Sequence, residues 1–150
     1  MKKQIISTAL CLLVVIAASA WTTQAQMPYR VTDKEVENML HRLRRDSDKY
    51  KKSVDSALDK SSLNGTNRED DINAFVKDFY KESDTLYDRF KDHKSVSGDV
   101  QTVLDRASRI DGFMHRHQFR NNKAERDWNA VRADLEQLAE AYNVTWTWST

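Results

Sequence analysis

Apolar side chains obey two different rules along this chain. From Ile5 to Ala18 they run together almost without a break, whereas from Val36 to Tyr142 they recur every three or four residues. The second rule is the period of a helix that buries one face. Four stretches follow it. The first opens at Thr32, with Glu35 three residues on as a capping box. Its stripe is Val36, Met39, Leu40, Leu43, Tyr50, Val54, Ala57 and Leu58. Leu63-Asn64-Gly65 breaks it, with Gly65 expected to take the positive φ that ends helices. A second capping box, Thr66 with Glu69, opens the stripe Ile72, Phe75, Val76, Phe79, Leu86 and Phe90, which fades near His93-Lys94. The third stretch starts at Ser95 or Ser97 and carries Val96, Val100, Val103, Leu104, Ala107, Ile110, Phe113 and Met114. The fourth starts at Asn121 or Asn122, with Glu125 completing a box from Asn122, and carries Trp128, Val131, Leu135, Leu138 and Tyr142.

Long helices joined by short connections pack as antiparallel neighbours. The expected fold is therefore all-α: an up-down-up-down four-helix bundle with an extended C-terminal tail. A three-helix arrangement, with the second and third stretches merged through Ser95, Ser97 and Gly98, is the alternative. A shift of 36 residues also aligns Val36 with Ile72, Leu43 with Phe79 and Ser47 with Ser83. That echo raises a duplicated helical half, although any two amphipathic helices align at some multiple of their period.

The unbroken run has a different purpose. Lys2 and Lys3 precede it, and small residues follow at Ala18-Ser19-Ala20 and Thr23-Gln24-Ala25. Positive start, apolar middle and small-residue site are the order of a secretory signal peptide. The run is shorter than the roughly 20 residues that span a bilayer. Residues 1–25 are thus expected to be a signal peptide and 26–150 a single bundle domain, with cleavage after Ala20 as the alternative. The expected location is the periplasm or outside the cell.

Removing that segment changes the composition. The full chain has 24 Lys+Arg, 23 Asp+Glu, one Cys, three Gly and one Pro. Cys11 lies in mid-run, so the remaining chain has no thiol for a disulfide, a Cys-based zinc site or covalent haem attachment. Loss of Lys2 and Lys3 leaves 22 basic against 23 acidic side chains, a balance of −1 in place of +1. Nucleic acid, which calls for a basic face, is not an expected partner. The basic cluster Arg42, Arg44, Arg45, Lys49, Lys51 and Lys52 is interrupted by Asp46 and Asp48, a mixed-charge face.

Candidate chemistry is sparse. No Gly-x-Ser-x-Gly, His-Glu-x-x-His or glycine-rich phosphate loop occurs, and no catalytic residue is assigned. Glu37 with His41 and Asp111 with His115 each share a helix face, but no three metal ligands converge. No cofactor is expected; Met39 and Met114, the inward candidates for a haem axial ligand, fall towards opposite ends. Ser47 and Ser83 sit where the stripes demand apolar residues, with Ala107 or Ser108 at about the same height. Ser47, Ser83 and Ser108 are therefore candidates for a small pocket layer rimmed by carboxylates. The plainer reading, which is preferred, is that the serines make room for Tyr50 and Phe79 and bond back to the preceding turn. Gly112, level with Trp128, is expected to form a notch for the indole. The ending Val144-Thr145-Trp146-Thr147-Trp148 alternates as a strand does. It either folds back over a groove between helices or docks a partner through Trp146 and Trp148.

The stretches Asp71-Ile72-Asn73-Ala74-Phe75-Val76-Lys77-Asp78-Phe79 and Arg126-Asp127-Trp128, with Tyr142-Asn143-Val144-Thr145-Trp146, resemble a family of uncharacterised secreted bacterial helical proteins. That resemblance spans the chain after the signal segment and transfers no activity. The functional expectation is an extracytoplasmic, non-enzymatic bundle that binds a protein or envelope component and has no membrane span once the signal is removed. A bundle carrying a small ligand or cofactor is the alternative.

Overall fold

A computed structural model describes residues 31–117 and 122–148. The segment 1–25, expected to be a signal peptide, and Asn121, the other expected start of the fourth stretch, lie outside the described residues. Four helices follow in order: α1 (Asp33–Leu58), α2 (Asn67–Lys91), α3 (Ser97–His117) and α4 (Asn122–Ala141). No strand is present among the described residues. Each helix packs on the next and α1 closes the ring on α4. Partners run in opposite order along every neighbouring pair. Glu37 meets Lys91 and Asp55 meets Asn73 between α1 and α2. Arg89 meets Asp99 and Arg106 meets Glu82 between α2 and α3. Arg42 meets Asp134 and Tyr50 meets Trp128 between α1 and α4. The molecule is an antiparallel four-helix bundle.

Helix ends follow local chemistry. Thr32 caps α1 and closes a full capping box: its Oγ1 accepts from the Glu35 N–H, and the Glu35 carboxylate accepts from the Thr32 N–H at 2.8 Å. At α2 the box is displaced by one residue. Thr66 Oγ1 accepts from the Glu69 N–H, but the Glu69 carboxylate accepts from the Gly65 N–H at 2.6 Å. Gly65 does adopt a positive φ of 74°. It lies at the entrance of α2, however, because α1 has already ended at Leu58 through a series of turns. His93 (φ 54°) and Asn143 (φ 51°) terminate α2 and α4. In each case the left-handed residue donates to the carbonyl three back, and the next residue donates to the carbonyl five back. Both ends are Schellman motifs built without glycine. The turn at His93 separates α2 from α3, so the merged three-helix alternative does not form.

The stripes expected from the sequence build one core. Val36, Leu40, Leu43, Tyr50, Val54 and Leu58 of α1 meet Ile72, Val76, Phe79 and Leu86 of α2. Val96, Val100, Val103, Leu104, Ala107 and Ile110 come from the α3 side, and Trp128, Val131, Leu135 and Leu138 from α4. Helix α1 lies along both α2 and α4 over most of its length, whereas α3 approaches its neighbours over less. That unevenness positions everything that follows.

Candidate functional site

The bundle has a polar centre. Ser47 and Ser83 are fully buried, with Ser47 Oγ 3.5 Å from Ser83 Oγ across the α1–α2 seam. Ser83 Oγ donates to the Phe79 carbonyl at 3.0 Å, as the plainer reading of a stripe serine expects. Beside them Tyr50 stacks at a tilt on Trp128, ring centroids 4.9 Å apart, and Phe79 meets Trp128 edge-on at 6.0 Å. The Trp128 indole N–H donates to Asp111 Oδ1 at 2.8 Å, which ties α4 to α3 through a carboxylate only 1% exposed. Arg132 Nε lies 3.6 Å from the same oxygen, and His115 Nδ1 lies 3.6 Å from the other. The Tyr50 hydroxyl is buried and makes no hydrogen bond. Burial, and then the charge of Asp111, pushes its pKa above the ordinary tyrosine value.

A second polar cluster lies across α1 and α4. Asp46, 7% exposed, accepts a forked pair of bonds from Arg45 at 3.1 and 3.0 Å and a third from Lys49 at 2.9 Å. Burial raises its pKa, but those bonds outweigh burial and hold the carboxyl below its usual range. Asp134 accepts from Arg42 Nε at 3.0 Å. There burial prevails over Arg42, and the carboxyl stays above its usual value. Asp134 therefore bridges the seam through Arg42, while Asp46 is neutralised within α1 by Arg45 and Lys49.

The tail uses the space left beside α3. Residues 144–148 carry no helix or strand and run back against the bundle. Trp148 meets Trp128 at 6.0 Å, its indole N–H donates to Glu136 at 2.8 Å, and the Arg132 guanidinium sits 4.4 Å above its ring. Trp146 meets Trp148 edge-on at 4.1 Å. Arg132 thus faces Asp111 on one side and Trp148 on the other. Between this tail and α3 lies an open groove of about 480 Å³, lined by Gln101, Asp105, Ser108, Arg109, Thr145, Trp146 and Thr147. A second groove of similar volume, on the other side of Thr145, is lined by Val31 and Met39 with the end of α4.

No family model, curated protein or solved structure matches this chain. The site is therefore read from its own geometry. Ser47 and Ser83 come together, but Ser108 does not join them. Helix α3 turns Ala107 inward, fully buried, and leaves Ser108 half-buried in the tail groove. Tyr50, Phe79 and Trp128 pack around the serine pair. Trp146 and Trp148 both lie half-buried against the core, on the bundle rather than away from it. Gly112 is buried beside the Asp111–Trp128 contact, at the height expected for it. Of the histidine pairs, Asp111 and His115 come together. Glu37 instead bonds Lys91 and Lys34, and His41 packs edge-on to Tyr87. Among the described residues, no three His, Cys, Asp or Glu side chains are placed to hold a metal ion. No helix among them is long and apolar enough to cross a membrane.

Arg132, Glu136 and the α3 face Gln101–Asp105–Arg109 were missed as parts of a site, and Asp111 was singled out only as the partner of His115, not as the acceptor for Trp128. Asp111 follows Ile110 and precedes Gly112, so a stripe reading passes over it as the polar neighbour of a core residue. The α3 face carries the four-residue spacing of an ordinary solvated surface. Only the tail lying opposite makes it a wall.

Proposed function

We infer that this chain acts outside the cytoplasm as a non-enzymatic binding module, with residues 1–25 as its secretory leader. The surface formed by the tail and α3 is its docking face for a protein or envelope component. One observation carries the reading: the tail anchors Trp148 on Trp128 and Arg132 and leaves Trp146 at the rim of an open, polar groove. Anchoring one aromatic while presenting the next beside hydrogen-bonding groups is an economical way to build a recognition surface. The polar interior, by contrast, is packed with rings, which favours structural work for Ser47 and Ser83 over a pocket for a cofactor.

Two measurements test this. Produced in a bacterial host, the full chain should leave the cytoplasm and yield a mature species beginning at Gln26 by mass. Salt-washed envelopes should retain that species, and Trp146→Ala should release it while leaving the helical circular dichroism unchanged. An unprocessed chain in the cytoplasm, or retention indifferent to Trp146, would overturn the reading.

A further inference from the structure

The groove beside the tail has a chemistry that narrows its occupant. One wall is a single face of α3, where Gln101, Asp105, Ser108 and Arg109 follow at helical spacing. The opposite wall is Thr145, Trp146 and Thr147. All but Ser108 and Trp146 are exposed. The Gln101 amide donates to Asp105 Oδ1 at 2.8 Å, which fixes the amide and leaves its carbonyl oxygen and the second carboxylate oxygen facing out of that bond. The side chains of Arg109, Thr145 and Thr147 make no hydrogen bond among the described residues. The groove therefore offers a carboxylate and a carbonyl as acceptors, a guanidinium as a five-donor fork and two hydroxyls that do both. These surround the half-buried indole of Trp146.

We propose that this groove binds a neutral oligosaccharide, with one sugar ring stacked on Trp146 and its hydroxyls bonded by Gln101, Asp105, Arg109, Thr145 and Thr147. A pyranose presents an apolar C–H face beside a ring of hydroxyls, each of which donates once and accepts as well. An indole flanked by planar donors and acceptors is the complement of that surface. The volume falls within the roughly 300–1,000 Å³ of small-ligand sites. Its open form suits a chain passing through. Charge argues against an anionic ligand, because Asp105 opposes the single cation, Arg109. An extended peptide could pair only with the tail backbone, which from Thr145 on makes no backbone hydrogen bond among the described residues. It is the poorer fit, because the facing α3 wall offers it polar side chains and no alternating apolar pockets. The proposal rests on the tail face being a docking surface and names what docks.

The test is a titration of the purified exported chain with chitohexaose and with maltohexaose, followed by tryptophan fluorescence. A saturable spectral shift is expected with at least one of them. Its midpoint should be unchanged between roughly 50 and 500 mM NaCl, since no charge pairs form with the ligand. Trp146→Ala should weaken binding by about tenfold or more. Gln101→Ala and Asp105→Ala, at exposed positions on α3, should each weaken it by roughly threefold with unchanged thermal midpoints. Three outcomes overturn the proposal: no saturable shift with either sugar up to about 10 mM, binding indifferent to both α3 substitutions, or binding of a synthetic peptide of residues 144–148 in place of the sugars. If any of these occurs while envelope retention still depends on Trp146, the docking face stands and the sugar falls.

Discussion

The α1–α2 seam and the α3 side of the bundle solve one packing problem in opposite ways. Between α1 and α2 the helices run close, so small buried residues such as Ser47 and Ser83 fit between them. The rungs outside are ion pairs and cation–ring contacts: Glu37 with Lys91, Arg44 with Tyr87, Lys51 with Tyr80. On the other side α3 stands off; Trp128 reaches Asp111 across the interval, and Trp148 lies over Trp128 on α4, oriented by Glu136 and Arg132. A close seam is held by register, an open one by large side chains and by the polar groups that fix them. It is the second solution that creates a groove.

Trp128→Ala should break the difference most severely. It removes a nearly buried indole touching Tyr50, Phe79 and Trp148 and leaves Asp111 without its donor. Large-to-small changes of this kind cost about 3–5 kcal/mol. Thermal denaturation should show it, and hydrogen exchange should rise in α3 before α1 and α2. Uniform acceleration across all four helices would mean that the two sides do not differ in how they are held.

Ending the chain after Asn143 sharpens the same point. Trp148 and Trp146 then leave Trp128 and Arg132 open to water. Burying a large apolar side chain is worth roughly 1.5–3 kcal/mol, and these two are only half-buried. A loss of about 2–3 kcal/mol is expected, with helicity retained. A thermal midpoint unchanged by the truncation would show that the tail does not support α3 at all.

These two sides were not equally legible in the sequence. The stripes identified all four helices because burial repeats at the helical period regardless of neighbours. Thr32 and Thr66 were readable as starts because capping is local. The ends of α2 and α4 showed only as stripes fading near His93-Lys94 and after Tyr142. The stop signal itself was not readable, since His93 and Asn143 take the left-handed conformation usually supplied by glycine. Ser47 and Ser83 could be matched across the hairpin by counting from the turn. Ser108 could not, because one residue decides which side of α3 faces the core, and Ala107 occupies that place. The groove was illegible for a further reason. It depends on how far α3 stands from α4, a distance set by side-chain volumes summed over the whole layer.

Ser83→Leu tests the close seam. Ser83 is fully buried and touches Ser47 across it, so a larger side chain has nowhere to go. Overpacking of this sort costs typically 1–3 kcal/mol. Ser83→Ala should cost well under about 1 kcal/mol, since the lost hydroxyl bonds only a helix carbonyl and a distant Ser47 Oγ. If Ser83→Leu were as stable as the parent, the seam would contain unfilled space.

The smallest effect separates the two sides of α1 by pH. Bonds from Lys91 and Lys34 hold the Glu37 carboxyl down to about 2 in the folded chain. Its folded pKa lies below the unfolded one, so its contribution is complete above the ordinary glutamate range, near 4.3. That contribution is lost as pH falls towards 2. Asp134, on the α4 side of α1, has the opposite sign. Burial holds its folded pKa above the unfolded value, so its charge opposes folding at neutral pH. That opposition is relieved as the acid protonates. Denaturant titrations at a series of pH values should therefore fall less steeply below pH 4 for Lys91→Met than for the parent. Asp134→Asn should fall more steeply above about pH 4, between the ordinary aspartate range and the raised folded value, because the compensating protonation is gone. Equal slopes for both variants and the parent would show that neither seam feels its carboxylate.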